Sequence, residues 1–485
     1  MNADDLLSLL PLLTLAAGAT TLMLQIAFAR NIKLTSLLAL VTLLAATLSI
    51  VWAGDSAPRF VTPLLRADKL ALVFSALFCL AGAATALLSM DYLNKRGDEP
   101  EEYFLLLILS TLGACVLAYA SHLASLLLGL ELMSVSLYAL IAYPDKTKLP
   151  LEAAIKYLVL SGAASATMLF GFALLYATTG TLQFSAMGQQ LANVDTGNIT
   201  LLVASIMIVA GLGFKLSLVP FHMWTPDVYD GAPAPVTGFL ASVAKAAVFV
   251  VLVRWFLASD LFRFSILIDC IALLAIFSML AGNVLALLQT NIKRMLAYSS
   301  IAHMGYLMII LVVASDLAHR PLAIEAGMYY LIAYTATTIA AFGVLTLLSA
   351  GESQRENIQL HDISGLFWHQ PLYACLMLVA LLSLAGIPLT AGFVAKFYLL
   401  SSAVSDSRWV LLGSLIIGSS IGIYYYLRVV FYMTRRVEEH NNSPEAPHGL
   451  LEKVVSCVLI ASILLLGTLP QPLVEYLQSI IQVIN

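Results

Sequence analysis

Apolar residues along this chain fall in blocks of about 18–28, separated by short polar stretches that hold most of the charged residues. Helices of that length cross a hydrocarbon core of about 30 Å. Inside lipid, backbone N–H and C=O groups must be satisfied within a helix or a closed barrel, and the alternating pattern of barrel strands is absent. The pattern therefore predicts an all-α polytopic membrane protein with about fourteen transmembrane helices. They start near Leu6, Leu34, Leu70, Phe104, Leu123, Ala153, Ile199, Val236, Ser265, Met295, Ile324, Leu372, Val410 and Val454. Two intervening segments, 181–197 and 358–370, are amphipathic and read as interfacial. The second, "IQLHDISGLFWHQ", mixes His, Asp and Trp in a way that suits the headgroup layer.

Two spans carry an internal break. In "GFKLSLVPFHMW" Pro220 lacks an N–H and clashes with the carbonyl of Leu216, so the seventh helix divides there. In "LSLAGIPLTAGF" Gly386, Pro388 and Gly392 divide the twelfth. Both breaks follow the tripeptide LSL, at 216–218 and 382–384, five spans apart. An odd offset runs the two halves in opposite directions, the weak internal symmetry of inverted-repeat transporters. The expected organisation is a single transmembrane domain, 1–485, built from a three-helix segment (1–102), a first repeat (103–258), a second, inverted repeat (259–435) and a C-terminal helix (436–485).

Composition supports the membrane reading. Of 485 residues 61% are hydrophobic and 11% charged, against roughly 25% charged in soluble chains. A net charge of −4 without any basic tract gives no footprint for nucleic acid. Cys79, Cys115, Cys270, Cys375 and Cys457 all lie in apolar blocks and form no C-x-x-C, so they read as core residues, not as zinc or iron–sulfur ligands. The start "MNADD" is acidic, which argues against a cleaved signal peptide. Loops after odd-numbered spans hold Arg30, Lys33, Lys95, Arg96, Lys146, Lys148, Lys293, Arg294, Arg355, Arg435, Arg436 and Lys453. Opposite loops hold fewer: Arg59, Arg66, Lys69, Arg254, Arg263, Arg320 and Arg408. The positive-inside rule makes the first set cytoplasmic and both termini periplasmic.

Five basic residues remain inside spans: Lys156, Lys215, Lys245, Lys396 and Arg428. A charge at the bilayer centre costs about 2.5–3.5 kcal/mol on insertion scales, so such residues mark function unless they snorkel to the interface. Lys156 lies near the start of its span, and Arg428 near the inner end of its own reads as an interfacial anchor. Lys245, in "VTGFLASVAKAAVFVVLVRW", and Lys396, in "GIPLTAGFVAKFYLLSS", lie too deep for that. Glu131, in "LLLGLELMSV", is the clearest intramembrane acid and has Ser134 on its face. Lys215 stands just before the first break, where freed carbonyls favour its protonated form. Ser299, His303 and Tyr306 make one polar stripe, and Tyr330, Tyr334, Thr337 and Thr338 a second. Such stripes serve either interhelical hydrogen bonding or a water chain. No phosphate loop, nucleophile–base pair, flavin or nicotinamide fingerprint is present. What remains is a row of buried titratable groups, which is what proton translocation requires.

"GLGFKLSLVPFHMWTPDVYDGAPAPVTGFLASVAKAAVF", "NIKRMLAYSSIAHMGYLM", "SHLASLLLGLELMSVSLYAL" and "LSLAGIPLTAGFVAKFYL" resemble the subunit N family of bacterial respiratory complex I, the proton-translocating NADH–quinone oxidoreductase. The tenth-span motif is shared with antiporter-like subunits L and M and with multisubunit cation/proton antiporters. The resemblance covers essentially the whole chain. It implies that Glu131 pairs with Lys215, that Lys245 connects to the cytoplasmic side, and that Lys396 serves the periplasmic exit. His303 would occupy a hydrated axis, with Lys156 and His222 accessory to the path. It further implies that this chain binds no FMN, iron–sulfur cluster or quinone, which belong to other subunits. Implied partners are subunit M, the small subunits A, J and K, and lipids of the bacterial inner membrane. The competing expectations are a Na⁺/H⁺ antiporter subunit working without redox partners, and a passive scaffold.

Overall fold

The computed structural model describes residues 2–96, 100–143, 148–192, 194–195, 197–349, 358–436 and 449–484. Lys146 and Arg355, counted above among the loop cations, lie outside the described residues, as do the side chains of Lys95 and Arg96. Among the described residues thirteen helices are long and apolar enough to cross a membrane, and a pair of shorter apolar helices occupies the place of the broken twelfth span. The chain divides into two compact units.

The first unit comprises Met1–Leu87, Asp98–Leu216 and Val243–Leu267. It opens with α1 (Ala3–Ser8), α2 (Leu10–Phe28) and α3 (Ile32–Asp55), then a hairpin of β1 (Arg59–Thr62) and β2 (Leu65–Ala67), then most of α4 (Lys69–Arg96). There follow α5 (Glu101–Tyr119), α6 (Leu123–Ala142), α7 (Lys148–Thr179), α8 (Phe184–Leu191) and α9 (Ile199–Leu216). After α10 (Trp224–Gly231) and α11 (Ala234–Phe239), which belong to the second unit, the chain returns as α12 (Lys245–Ser259). Helix α12 is apolar on nearly every side and accordingly buried, packing on α5, α8 and α9. Helices α2, α3 and α7 instead present Leu24, Phe28, Leu48, Val51, Val159 and Phe170 outward, as lipid-facing helices do.

Close approach of α7 and α9 depends on Gly211. A Cβ there would lie 2.7 Å from Met168 Cβ and 2.9 Å from the Ala164 carbonyl oxygen. The unit also holds an ion pair that the charge count placed in loops. Arg254 donates two 2.7 Å hydrogen bonds to the two carboxylate oxygens of Asp68, and both side chains are buried. Burial by itself raises the Asp68 pKa, but the guanidinium outweighs it and holds the carboxyl below its ordinary range.

The second unit comprises Leu88–Gly97, Ser217–Ser242 and Ile268–Asn485. Besides α10 and α11 it contains most of α13 (Ser265–Leu287), then α14 (Ile292–Val313), α15 (Arg320–Ser349), α16 (Leu366–His369), α17 (Pro371–Ala385), α18 (Ala391–Ser405), α19 (Trp409–Thr434), α20 (Leu450–Thr468) and α21 (Gln471–Ile484). Helices α14 and α15 are largely buried, whereas α13, α19 and α20 show more apolar surface.

Both breaks fall where the sequence puts them. Helix α9 ends at Leu216, and a turn with the cis Val219–Pro220 peptide leads into α10. Helix α17 ends in a left-handed Gly386 at φ 83°, whose N–H bonds the Leu382 and Ser383 carbonyls while Ile387 N–H also reaches Leu382. That is a glycine C-cap of the Schellman type.

The two segments expected to be interfacial contain the short α8 and a run of turns ending in α16. Trp368 in α16 is exposed, donates Nε1–H to the Thr434 carbonyl at 3.0 Å, and lies under the Arg436 guanidinium. Two elements escaped the sequence reading. The β1–β2 hairpin is short and sits in a polar linker. The last apolar block is two helices, divided at Leu469–Pro470, and α21 is amphipathic, burying Val474, Leu477, Ile480 and Ile481. Cys79 and Cys115 are core residues as expected, but Cys457 is exposed on α20.

Candidate functional site

In the first unit Lys215 occupies the last turn of α9, 5% exposed. Its Nζ donates to Ser134 Oγ of α6 at 2.7 Å and to Ser161 Oγ of α7 at 2.5 Å. Hydrogen bonds from a charged donor contribute about 1.5–3 kcal/mol each, so the two together match or exceed the cost of placing the ammonium at the bilayer centre. Glu131, half-buried on α6, makes no direct ion pair with Lys215. Its Oε1 instead accepts from Ser165 Oγ of α7 at 2.7 Å. The two charges thus address hydroxyls one turn apart on α7, Ser161 for the lysine and Ser165 for the glutamate. Tyr138 completes the group by donating its hydroxyl to Ser161 Oγ at 2.5 Å. The Lys215 ammonium also lies 5.7 Å from the Tyr157 ring centroid.

Sequence reasoning found Glu131, Lys215 and Ser134 but missed Ser161, Ser165 and Tyr138. Their signal is helical spacing: 161 and 165 are four apart on one face of α7, and 131, 134 and 138 line one face of α6.

Lys245 lies at the first turn of α12, 1% exposed, and directly follows the five-residue π-helical turn Leu240–Ala244. Lys156 lies elsewhere. It is exposed on the outer face of α7 and pairs with Glu152 one turn earlier, Nζ to Oε1 at 2.8 Å.

The second unit holds the other three residues. Lys396, on α18, donates Nζ–H to the carbonyl of Ala385, the last residue of α17, at 3.0 Å. A lysine at the negative end of a half-helix is favoured by the local dipole. Its charge also lies 5.4 Å from the Tyr306 ring centroid. A small cavity of about 10 Å³ is lined by Lys396, His303, Tyr330, Tyr334, Thr337 and Ser383, among others. This is about the room that one water needs. His303 Nδ1 bonds Tyr330 OH at 2.5 Å, and Nε2 bonds Tyr426 OH at 3.2 Å. Thr337 Oγ1 meets Ser383 Oγ at 3.0 Å, and Ser300 Oγ meets Tyr334 OH at 2.6 Å. The two polar stripes therefore bond to one another through His303–Tyr330, and Ser300, beside the first stripe, adds a link to Tyr334. Ser299 instead pairs with Tyr426. His222 lies in the turn between α9 and α10, its Nδ1 buried without a hydrogen-bond partner among the described residues.

The segments "TPDVYDGAPAPV" and "NIKRM" interlock. Arg294 Nη1 bonds Asp227 at 2.9 Å, and Asn291 Nδ2 bonds Asp230 at 2.7 Å. Lys293 is buried, with Nζ on the carbonyls of Asp230 at 3.2 Å and Ala232 at 2.7 Å, the C-terminal end of α10. Arg428 donates to the carbonyls of Leu287 and Gln289, at and just past the C-terminal end of α13, and so caps that helix.

A family model described as "NADH:quinone oxidoreductase/Mrp antiporter, TM" matches residues 120–422. Among similar proteins, NADH-quinone oxidoreductase subunit N of Methylococcus capsulatus is 46% identical over 481 residues, covering 98% of this chain and 95% of the relative. A chain of respiratory complex I from Thermus thermophilus with bound aureothin superposes with a TM-score of 0.81 at 32% identity, covering 96% of this chain and 98% of its own. A chain of the archaeal membrane-bound sulfane sulfur reductase shares the fold at 22% identity and a TM-score of 0.87, with 98% of each chain covered. So does one from the Mrp complex of Dietzia sp., at 20% identity and 0.81, covering 99% of this chain and 97% of its own.

Proposed function

Since the chain belongs to the NADH:quinone oxidoreductase/Mrp antiporter transmembrane family, we propose that it is a proton-translocating membrane-arm subunit of an NADH–quinone oxidoreductase. Quinone reduction elsewhere in the complex drives protons through buried Glu and Lys residues of this chain. Lys215 is the central station and Glu131 sets its charge state. Lys245 receives the proton next, and Lys396 with His303 serves release. In this reading the chain has no redox centre of its own, and FMN, iron–sulfur clusters and quinone are held by other subunits. Its neighbours are subunit M and the small subunits A, J and K, within lipids of a bacterial inner membrane. Both termini face the periplasm.

The observation that carries this reading is Lys215 itself: a buried ammonium held by two neutral hydroxyls, with the Glu131 carboxylate one turn from Ser134 on α6 and not in contact. Such a lysine keeps its proton without being locked to it, and a small movement of Glu131 changes its field. The family model also spans cation/proton antiporters, but 46% identity to a subunit N over nearly the whole chain favours the redox-driven complex. Lys215→Ala in the assembled complex, reconstituted in proteoliposomes, is expected to abolish NADH-driven proton pumping while NADH still binds. Unchanged pumping stoichiometry would overturn the proposal.

A further inference from the structure

Lys215 lies at depth, and a proton reaching it needs a route from one end of the bundle. Helix α6 ends at Ala142, and α7 begins at Lys148. At 1.5 Å per residue, the Cα of Tyr138 lies about 6 Å of rise from the end of α6 at Ala142. Tyr138 therefore links that end of α6 to the buried site: its backbone is near Ala142 and its hydroxyl is on Ser161, beside Lys215. Its side chain is half-buried, whereas Ser161 and Lys215 are buried. The ring is held edge-on against Tyr157 at 5.2 Å, which fixes where the hydroxyl points.

We propose that Tyr138 and Ser161 form the proton relay that loads Lys215 from the Ala142 end of α6. This rests on the reading of Lys215 as a proton station. The geometry already contains both links, Tyr138 OH to Ser161 Oγ at 2.5 Å and Ser161 Oγ to Lys215 Nζ at 2.5 Å. In the recorded arrangement Ser161 Oγ accepts from both neighbours. When Lys215 is neutral, its lone pair accepts from the Ser161 hydroxyl instead. Loading is then one concerted shift. The Tyr138 O–H breaks and its proton bonds to Ser161 Oγ, while the proton originally on Ser161 moves to Lys215 Nζ. Tyr138 regains a proton from hydronium at its exposed side, which leaves as water. Both hydroxyls end neutral, and the one positive charge gained by Lys215 is the one that entered. Ser134 holds the ammonium from the other side, and Ser165 occupies Glu131, so neither is needed in the chain of transfers.

The relay is tested by removing hydroxyls while keeping shape. Tyr138→Phe retains the ring contact, Ser161→Ala deletes the node, and Ser161→Thr restores its hydroxyl. In the assembled complex in proteoliposomes, Tyr138→Phe and Ser161→Ala are each expected to slow pumping at least about tenfold, below the full 10²–10⁴-fold range for a positioned proton-transfer group. The rates should also fall further in D₂O than those of the unaltered complex. Ser161→Thr should recover most of the rate. Normal pumping by Tyr138→Phe overturns the relay, and so does a Ser161→Thr variant as slow as Ser161→Ala, since the serine would then act by size alone. If Lys215→Ala is dead while both hydroxyl deletions pump normally, the relay falls and the pumping role of Lys215 stands. If Lys215→Ala pumps normally, both fall.

Discussion

A buried charge is expensive, and this chain spends its charges in two different ways. Lys215 and Lys396 are held by neutral oxygens: serine hydroxyls for one, a helix-end carbonyl for the other. Such partners stabilise the ammonium without fixing its proton, because none of them carries a full negative charge. Asp68 and Arg254 are the opposite case, a bidentate and fully charged pair that is suited to anchoring. Asp68→Asn leaves Arg254 buried without its counter-charge and is expected to cost about 3–5 kcal/mol. Detergent-solubilised thermal melts should show that loss, and an apolar double replacement of Asp68 and Arg254 should recover part of it. Because the folded Asp68 pKa lies below its ordinary 3.8, the pair's contribution is complete above that pH and is lost only as pH falls through the lower folded value.

Helix pairs set the site's geometry at the next scale. Ser161 and Ser165 can meet Lys215 and Glu131 only because α7 lies close to α9 and α6, and Gly211 is what lets α9 approach. Gly211→Val would press a branched side chain into Met168 and the Ala164 carbonyl and push α9 outward. Since Gly211 lies one turn before Lys215, the displacement moves the ammonium off Ser161. Loss of pumping in an assembled complex that still oxidises NADH is the expected outcome, measured with a pH-sensitive dye in vesicles. This element scale is also where the sequence was least informative. Helix breaks are legible because proline and left-handed glycine chemistry is local. The inward aim of Ser161 is not, because serine and threonine in lipid-buried helices commonly bond the carbonyl four residues back. Thr167 on the same α7 does so, to Ala163. Only the neighbouring helix decides which hydroxyl turns inward, and the neighbour of α7 here is a helix some forty residues later in the chain.

For the whole molecule, the span pattern was legible almost completely, since continuous apolar length and backbone satisfaction in lipid leave few alternatives. The charge tally was less so. Arg254 and Lys293, assigned to opposite loops, are both buried and bonded to the protein. One falls in each set, so discounting them leaves the bias and the inferred orientation unchanged. Single cysteines placed at the described ends, near Asn2 and near Ile484, are therefore expected to react with an impermeant maleimide added outside intact cells. Cys457 must be replaced first because it is exposed. Labelling only after permeabilisation would reverse the assigned orientation.

The π-turn at Leu240–Ala244 gives Lys245 an unusual dependence on arithmetic. A wide turn holds one residue more than an ordinary one, so the bearing of everything downstream is set by a head-count over the five residues Leu240, Ala241, Ser242, Val243 and Ala244. Winding all five as regular helix would rotate Lys245 by about 100°, whereas deleting one of them would close the turn and keep the lysine's bearing. For this lysine, the winding of the chain before it is as much a part of the site as the lysine.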